Sequence, residues 1–227
     1  MASGKPSAIA FNAEIQQKLT APIRFSHTLE GDSFTPKMLR DVATSPDGKT
    51  VVFHAVGHLW KRALPSGAIT RLTGESVAFE YQPHFSRDGR KLLYTAWSDK
   101  NQGSIREIDL AGGGIRTLSD EPGFYYQPKW SPDGKYIVAS KGGFRGGLPT
   151  MWMYHADGGN GMSLYTAPAN AAPGTAVQQA GAAFSADGKS IWYTQRNGAW
   201  NYNAQFPQYQ IYVYNRDTGE REAQSSR

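Results

Sequence analysis

Cysteine is absent from this 227-residue chain, which excludes a disulfide framework and any thiolate metal site and fits either a reducing compartment or a periplasmic protein held by packing alone. The opening residues 1–6 lack the apolar run of a signal peptide or membrane anchor, so no membrane insertion is expected. Sustained helical periodicity with a cap is missing as well. So are a Gly-x-Ser-x-Gly elbow, a His-x-His pair and a His-Glu-x-x-His motif, the arrangements that serine hydrolases and metal hydrolases need. The five histidines, His27, His54, His58, His84 and His155, are scattered and read as structural, and neither a metal nor another cofactor is expected. Asp99-Lys100-Asn101-Gln102-Gly103 opens like a calcium loop but places Leu110 where a bidentate Glu is required. Runs of one charge are lacking too: 24 basic residues mix with 19 acidic ones for a net +5, which argues against a nucleic-acid partner.

One short turn, in contrast, occurs four times: Ser45-Pro46-Asp47-Gly48-Lys49, Ser86-Arg87-Asp88-Gly89-Arg90, Ser131-Pro132-Asp133-Gly134-Lys135 and Ser185-Ala186-Asp187-Gly188-Lys189. Successive serines lie 41, 45 and 54 residues apart, a period that belongs to propeller blades. The Asp (Asp47, Asp88, Asp133, Asp187) is suited to satisfy local backbone donors, and the Gly (Gly48, Gly89, Gly134, Gly188) accepts the positive φ that closes a bulged hairpin. Each turn separates two extended apolar segments, and further strand and turn signals follow, as in Leu59 to Leu64, Pro65-Ser66-Gly67 and Ala68 to Leu72. Four strands per unit make a propeller blade. The expected fold is therefore all-β: four-stranded antiparallel blades, about four of them, plus an extra N-terminal outer strand.

Tyr81-Gln82-Pro83-His84-Phe85-Ser86-Arg87-Asp88-Gly89 and Tyr126-Gln127-Pro128-Lys129-Trp130-Ser131-Pro132-Asp133-Gly134 resemble the blade signature of TolB-like, PD40-type WD40-like propellers, over roughly residues 38–227. The run 23–72, with Gly57-His58-Leu59-Trp60 and Ile69-Thr70-Arg71-Leu72-Thr73, is similar to propellers that precede an amidohydrolase domain in bacterial exported proteins. That resemblance implies a periplasmic or secreted parent, a longer gene, and a propeller that serves as scaffold.

Blade boundaries are expected at 38–78, 79–122, 123–172 and 173–227, with 1–37 supplying the outer strand of a preceding blade and a connector that includes a short helical turn at 12–18 and an added strand at 22–29. Four blades lie at the low end of the range of about four to eight. They either close tightly, with strands from both termini sharing one blade, or stay open and expose apolar faces that drive self-association into a homodimer or larger ring.

Side chains converge where innermost strands begin: Arg40-Asp41, Tyr81-Gln82, Tyr126-Gln127 and Ala180-Gly181. Loops between second and third strands lengthen along the chain and carry Trp97, Phe144, Arg145, Trp200, Tyr202 and Phe206, residues typical of interface anchors. Trp60, Phe85, Trp130, Trp152, Phe184 and Trp192 are expected to pack between sheets. The leading expectation is a non-catalytic scaffold that presents its channel mouth to a catalytic domain or protein ligand. The alternatives are part of a metal-dependent hydrolase completed by a missing domain or partner, and a glycan- or peptide-binding propeller using Trp97, Trp200 and Tyr202 for stacking.

Overall fold

In a computed structural model the chain is described at residues 10–18, 20, 35–74, 78–142, 148–165, 177–197 and 209–224. It divides into two compact units, Met1–Thr35 and Pro36–Arg227. In the first, residues 10–18 and 20 are exposed and form neither helix nor strand. The helical turn expected at 12–18 is therefore not made, since so short a segment without a packed face cannot offset helix nucleation. The expected outer strand and the strand at 22–29 lie outside the described residues.

The described residues of the second unit form sixteen strands in four sheets, each a meander of consecutive strands. The first holds β1 (Arg40–Thr44), β2 (Thr50–Ala55), β3 (His58–Ala63) and β4 (Ile69–Arg71), and the second β5 (Phe79–Phe85), β6 (Lys91–Ser98), β7 (Gln102–Asp109) and β8 (Ile115–Thr117). The third holds β9 (Phe124–Trp130), β10 (Tyr136–Gly142), β11 (Thr150–His155) and β12 (Met162–Ser163), and the fourth β13 (Val177–Phe184), β14 (Ser190–Asn197), β15 (Tyr209–Asn215) and β16 (Arg221–Gln224). All neighbours are antiparallel. Inner strands β1, β5, β9 and β13 adjoin in that order, while β13 does not reach β1. The four blades form an open arc.

The repeated turn owes its shape to one hydroxyl and one carboxylate. In every copy the Ser Oγ–H donates to Asp Oδ1 at 2.6 Å. The same Asp oxygen accepts the N–H of the residue two positions on, at 3.0 to 3.1 Å. Gly48, Gly89, Gly134 and Gly188 take φ between 69° and 72°, a region where a Cβ is strained. The two strands are thereby forced into hairpin register.

Packing follows from sheet stacking. Neighbouring residues on one strand point to opposite faces, so Leu92 enters the core with Val52, Leu59 and Phe85, while Leu93 enters the next with Ile105, Tyr125 and Ile137. A third core joins Val138 and Met151 to Ile191 and Tyr193. Covered on both sides, β6 is buried from Leu92 to Ala96. The fourth sheet is covered on one side among the described residues, and alternation shows it: Ile191 and Tyr193 are buried, whereas Trp192 between them is 44% exposed. Trp192 thus departs from the expected inter-sheet packing, because its face of β14 meets no further blade among the described residues. Phe85 and Trp130 are buried, and Trp152 and Phe184 pack at the edges of the second and third cores. Trp60 is half-buried and donates its indole N–H to the Ala55 carbonyl at 2.9 Å.

Polar clasps reinforce each stack. Glu80, fully buried, accepts the Leu59 N–H at 3.1 Å from the first sheet and the Thr73 hydroxyl at 2.7 Å. Ser119 Oγ accepts the Ile105 N–H, and the buried Gln179 accepts the Met151 N–H at 2.9 Å while donating to Gln195 at 2.8 Å. Leu59, Ile105 and Met151 are corresponding positions on third strands; the next blade supplies the acceptor for Leu59 and Met151, while Ser119, on the segment that follows β8, supplies it for Ile105.

Candidate site at the channel mouth

Each inner strand is interrupted by a bulge at the same place: between Arg40 and Ala43, between Tyr81 and His84, opposite Val138 and Ser140, and between Ala180 and Ala183. The bulged residues Asp41, Gln82, Gln127 and Gly181 all have left-handed backbone, with φ of 50°, 55°, 51° and 68°. For three non-glycine residues this conformation is costly unless the surroundings impose it. What imposes it is a relay. Asp41 Oδ2 accepts the Gln82 N–H at 3.3 Å, Gln82 Oε1 accepts the Gln127 N–H at 2.8 Å, and Gln127 Oε1 accepts the Gly181 N–H at 3.0 Å. Thr95 braces the second bulge, its hydroxyl shared between the Tyr81 carbonyl and Gln82 Oε1. A bulge turns the residues beside it out of the sheet's alternation. Here that re-aiming brings Arg40, Tyr81 and Tyr126 to the mouth.

Together they line a cavity of about 470 Å³ whose walls also include Asp41, Gln82 and Trp97. Six of the residues expected from sequence thus meet in one place. Gln127 lies in the next bulge and serves the relay without lining the cavity. Phe144, Arg145, Trp200, Tyr202 and Phe206 lie outside the described residues. Trp97 was expected on a loop, yet β6 continues to Ser98 and pairs Trp97 with Gly103, where the lack of a side chain admits the Gly123 carbonyl and the indole.

Five lining residues were not anticipated as a site: His54, Thr95, Ala96, Phe124 and Tyr125. Phe124 stacks on Trp97 with ring centroids 4.6 Å apart and planes 9° from parallel. His54 tilts against Tyr81 at 4.9 Å, and neither ring nitrogen has a hydrogen-bond partner among the described residues. Burial holds its pKa below the usual histidine value, with Arg40 opposing protonation and Asp41 favouring it. The register Arg40 opposite His54 could have suggested this neighbour, since cross-strand partners share a face. Phe124 gave no such signal, because its stacking partner belongs to another blade.

Chemically the cavity offers flat aromatic surface, the Arg40 guanidinium, the Asp41 carboxylate, the His54 imidazole, whose protonation burial disfavours, and edges of strained backbone. Thr95 has its hydroxyl engaged with carbonyl groups, which leaves it without a base. The opening of the would-be calcium loop is occupied internally: Asp99 accepts the Trp97 indole N–H at 3.3 Å, and Ser98 Oγ accepts the Asn101 N–H. Among the described residues no group of three or more acidic or histidine side chains could hold a metal ion.

No protein-family model matches the chain. Over 74 residues it is 33% identical to the Tol-Pal system protein TolB of Rickettsia massiliae, a stretch covering 33% of this chain and 17% of the relative. Among solved structures, TolB from Acinetobacter baumannii superposes with a TM-score of 0.62 at 22% identity, over 82% of this chain and 43% of that one. The β-propeller domain of the Trilobed protease from Pyrococcus furiosus, described as having an open velcro topology, gives 0.52 at 15% identity, over 83% and 57%. The chain therefore spans less than half of either TolB. Bulged inner strands, the fourfold Ser-x-Asp-Gly turn and these superpositions make the chain, by fold, a run of TolB-like β-propeller blades.

Proposed function

We propose that this chain is a non-catalytic propeller scaffold that uses its channel mouth to hold a protein ligand or a catalytic domain of a larger amidohydrolase-like protein. The observation that carries the reading is the relay through Asp41, Gln82 and Gln127, which maintains strained backbone in three blades and so fixes Arg40, Tyr81 and Tyr126 around one aromatic cavity. Strain retained at a mouth rather than in a core suits a binding surface. A periplasmic or secreted setting in a bacterium accords with the TolB resemblance.

The uncovered outer faces of the end blades extend the proposal. Val42 is 61% exposed on the first blade, and Ile211 accompanies Trp192 on the fourth at 51%. Apolar faces of stacked sheets gain stability when covered, so further blades, in the same polypeptide or in a second copy, complete the arc. Two measurements test the reading. Sedimentation at micromolar concentration is expected to give a multiple of 24.9 kDa; a clean monomer would remove self-association. An amide and ester hydrolysis screen with added divalent metals is expected to show no turnover, and metal-dependent turnover by the purified chain would overthrow the scaffold assignment in favour of a hydrolase.

A further inference from the structure

At the opposite end of the inner strands lies a second cavity, of about 540 Å³, walled by residues of all four blades. Its ionisable lining residues are His84, Arg87 and Lys129, and no carboxylate is among its described walls. Register explains the arrangement. Ala43, His84, Lys129 and Ala183 occupy one corresponding position, each following its bulge and pairing with Val52, Leu93, Val138 and Trp192 on the second strands. Small residues on the outer two strands thus leave room beside a lysine and a histidine on the middle two.

The two basic groups are differently prepared. Lys129 is half-buried and its side-chain ammonium makes no hydrogen bond or ion pair with any described residue, an expensive state for such a group. His84 Nδ1 accepts the Trp130 N–H at 3.4 Å, which in the neutral ring puts the proton on Nε2 and makes that atom a donor. Arg87 is exposed at the rim.

We propose that this cavity binds a small oxyanion, a carboxylate or a phosphate group, between the Lys129 ammonium and the His84 Nε2–H, with Arg87 closing the charge balance at the rim. The anion supplies the counter-charge that the protein withholds from Lys129. It is a site separate from the channel mouth and does not depend on the scaffold reading.

Calorimetric titration of the intact chain with inorganic phosphate and, separately, with acetate, at ionic strength held constant with chloride, tests this. Saturable one-to-one binding of at least one anion is expected, weakened about tenfold or more by Lys129→Gln and less by Arg87→Gln. A preference for phosphate points to a phosphorylated ligand, and a preference for acetate to a carboxylate-bearing one. Neither anion exceeding the chloride blank, or Lys129→Gln binding within about twofold of the parent, overturns the site. Should Lys129→Gln fail to fold, amine acylation of the unaltered protein decides: the anion must slow labelling of Lys129 but not of the exposed Lys49, and equal rates at Lys129 with and without anion refute the proposal.

Discussion

Gln82 accepts the backbone N–H of Gln127 through its side-chain oxygen at 2.8 Å, across 45 residues of chain, and both residues have positive φ. The bond therefore ties the second blade to the third while both residues occupy a conformation that glycine would adopt without strain. Replacing Gln82 by Ala keeps the strain and leaves the exposed Gln127 amide to water, so a loss of about 0.5 to 1.5 kcal/mol is expected in denaturant unfolding. Gln82→Gly loses the same acceptor but relieves the backbone, and is expected to fall between Gln82→Ala and the parent.

Glu80 is a harsher case. Its buried carboxylate serves Leu59 and Thr73 at once, with His58 Nδ1 at 3.8 Å. Glu80→Ala should cost about 2 to 4 kcal/mol, while Glu80→Gln retains an acceptor and should cost less. Equal losses for the two variants would show that packing volume, not acceptor capacity, is what the first two blades share.

Stability is expected to fall with acidity in two stages. Burial, with the Lys129 charge adding, pulls His84 from 6.5 down to about 4, and burial lowers His54 and His58 as well. Groups whose folded pKa is depressed take up protons first in the unfolded chain, so stability is level above about pH 6.5 and declines toward pH 4. His84 alone accounts for roughly 3 kcal/mol across that window. The turn aspartates Asp47, Asp88, Asp133 and Asp187, lowered first by their serine hydrogen bonds, give way only below the ordinary carboxylate value of 3.8. His84→Asn, which retains an acceptor for Trp130, should reduce the first stage by the share of His84 and leave the second intact in urea titrations at stepped pH.

Trp192→Lys alters the uncovered face of the fourth blade without touching the third core. The change should leave the unfolding midpoint within about 0.5 kcal/mol of the parent and shift sedimentation toward a single chain. An unchanged particle mass would mean that this face takes no part in association.

The blade frame was legible because its determinants are local: a serine, an aspartate and a glycine within four residues fix each hairpin, and those hairpins recur at blade spacing. The mouth was legible in part for the same reason, since Tyr81-Gln82 and Tyr126-Gln127 repeat. What escaped were relationships between residues on different strands and blades. Nothing near Phe124 in the chain announces Trp97, and His54 resembles any other strand histidine until the bulge at Arg40 sets them across from one another. Loop lengths misled too, as the extension of β6 through Trp97 is paid in hydrogen bonds to β7 that no turn signal encodes.

The bulge relay joins residues 41, 45 and 54 positions apart. Loop closure grows only with the logarithm of length, so the longest of these spans costs just about 0.2 kcal/mol more than the shortest. Insertions between clasps are consequently almost free, provided the clasps themselves survive. A frame of this kind can accept new surface segments with little thermodynamic objection, which makes the intervals between its fixed points the natural place for novelty to accumulate.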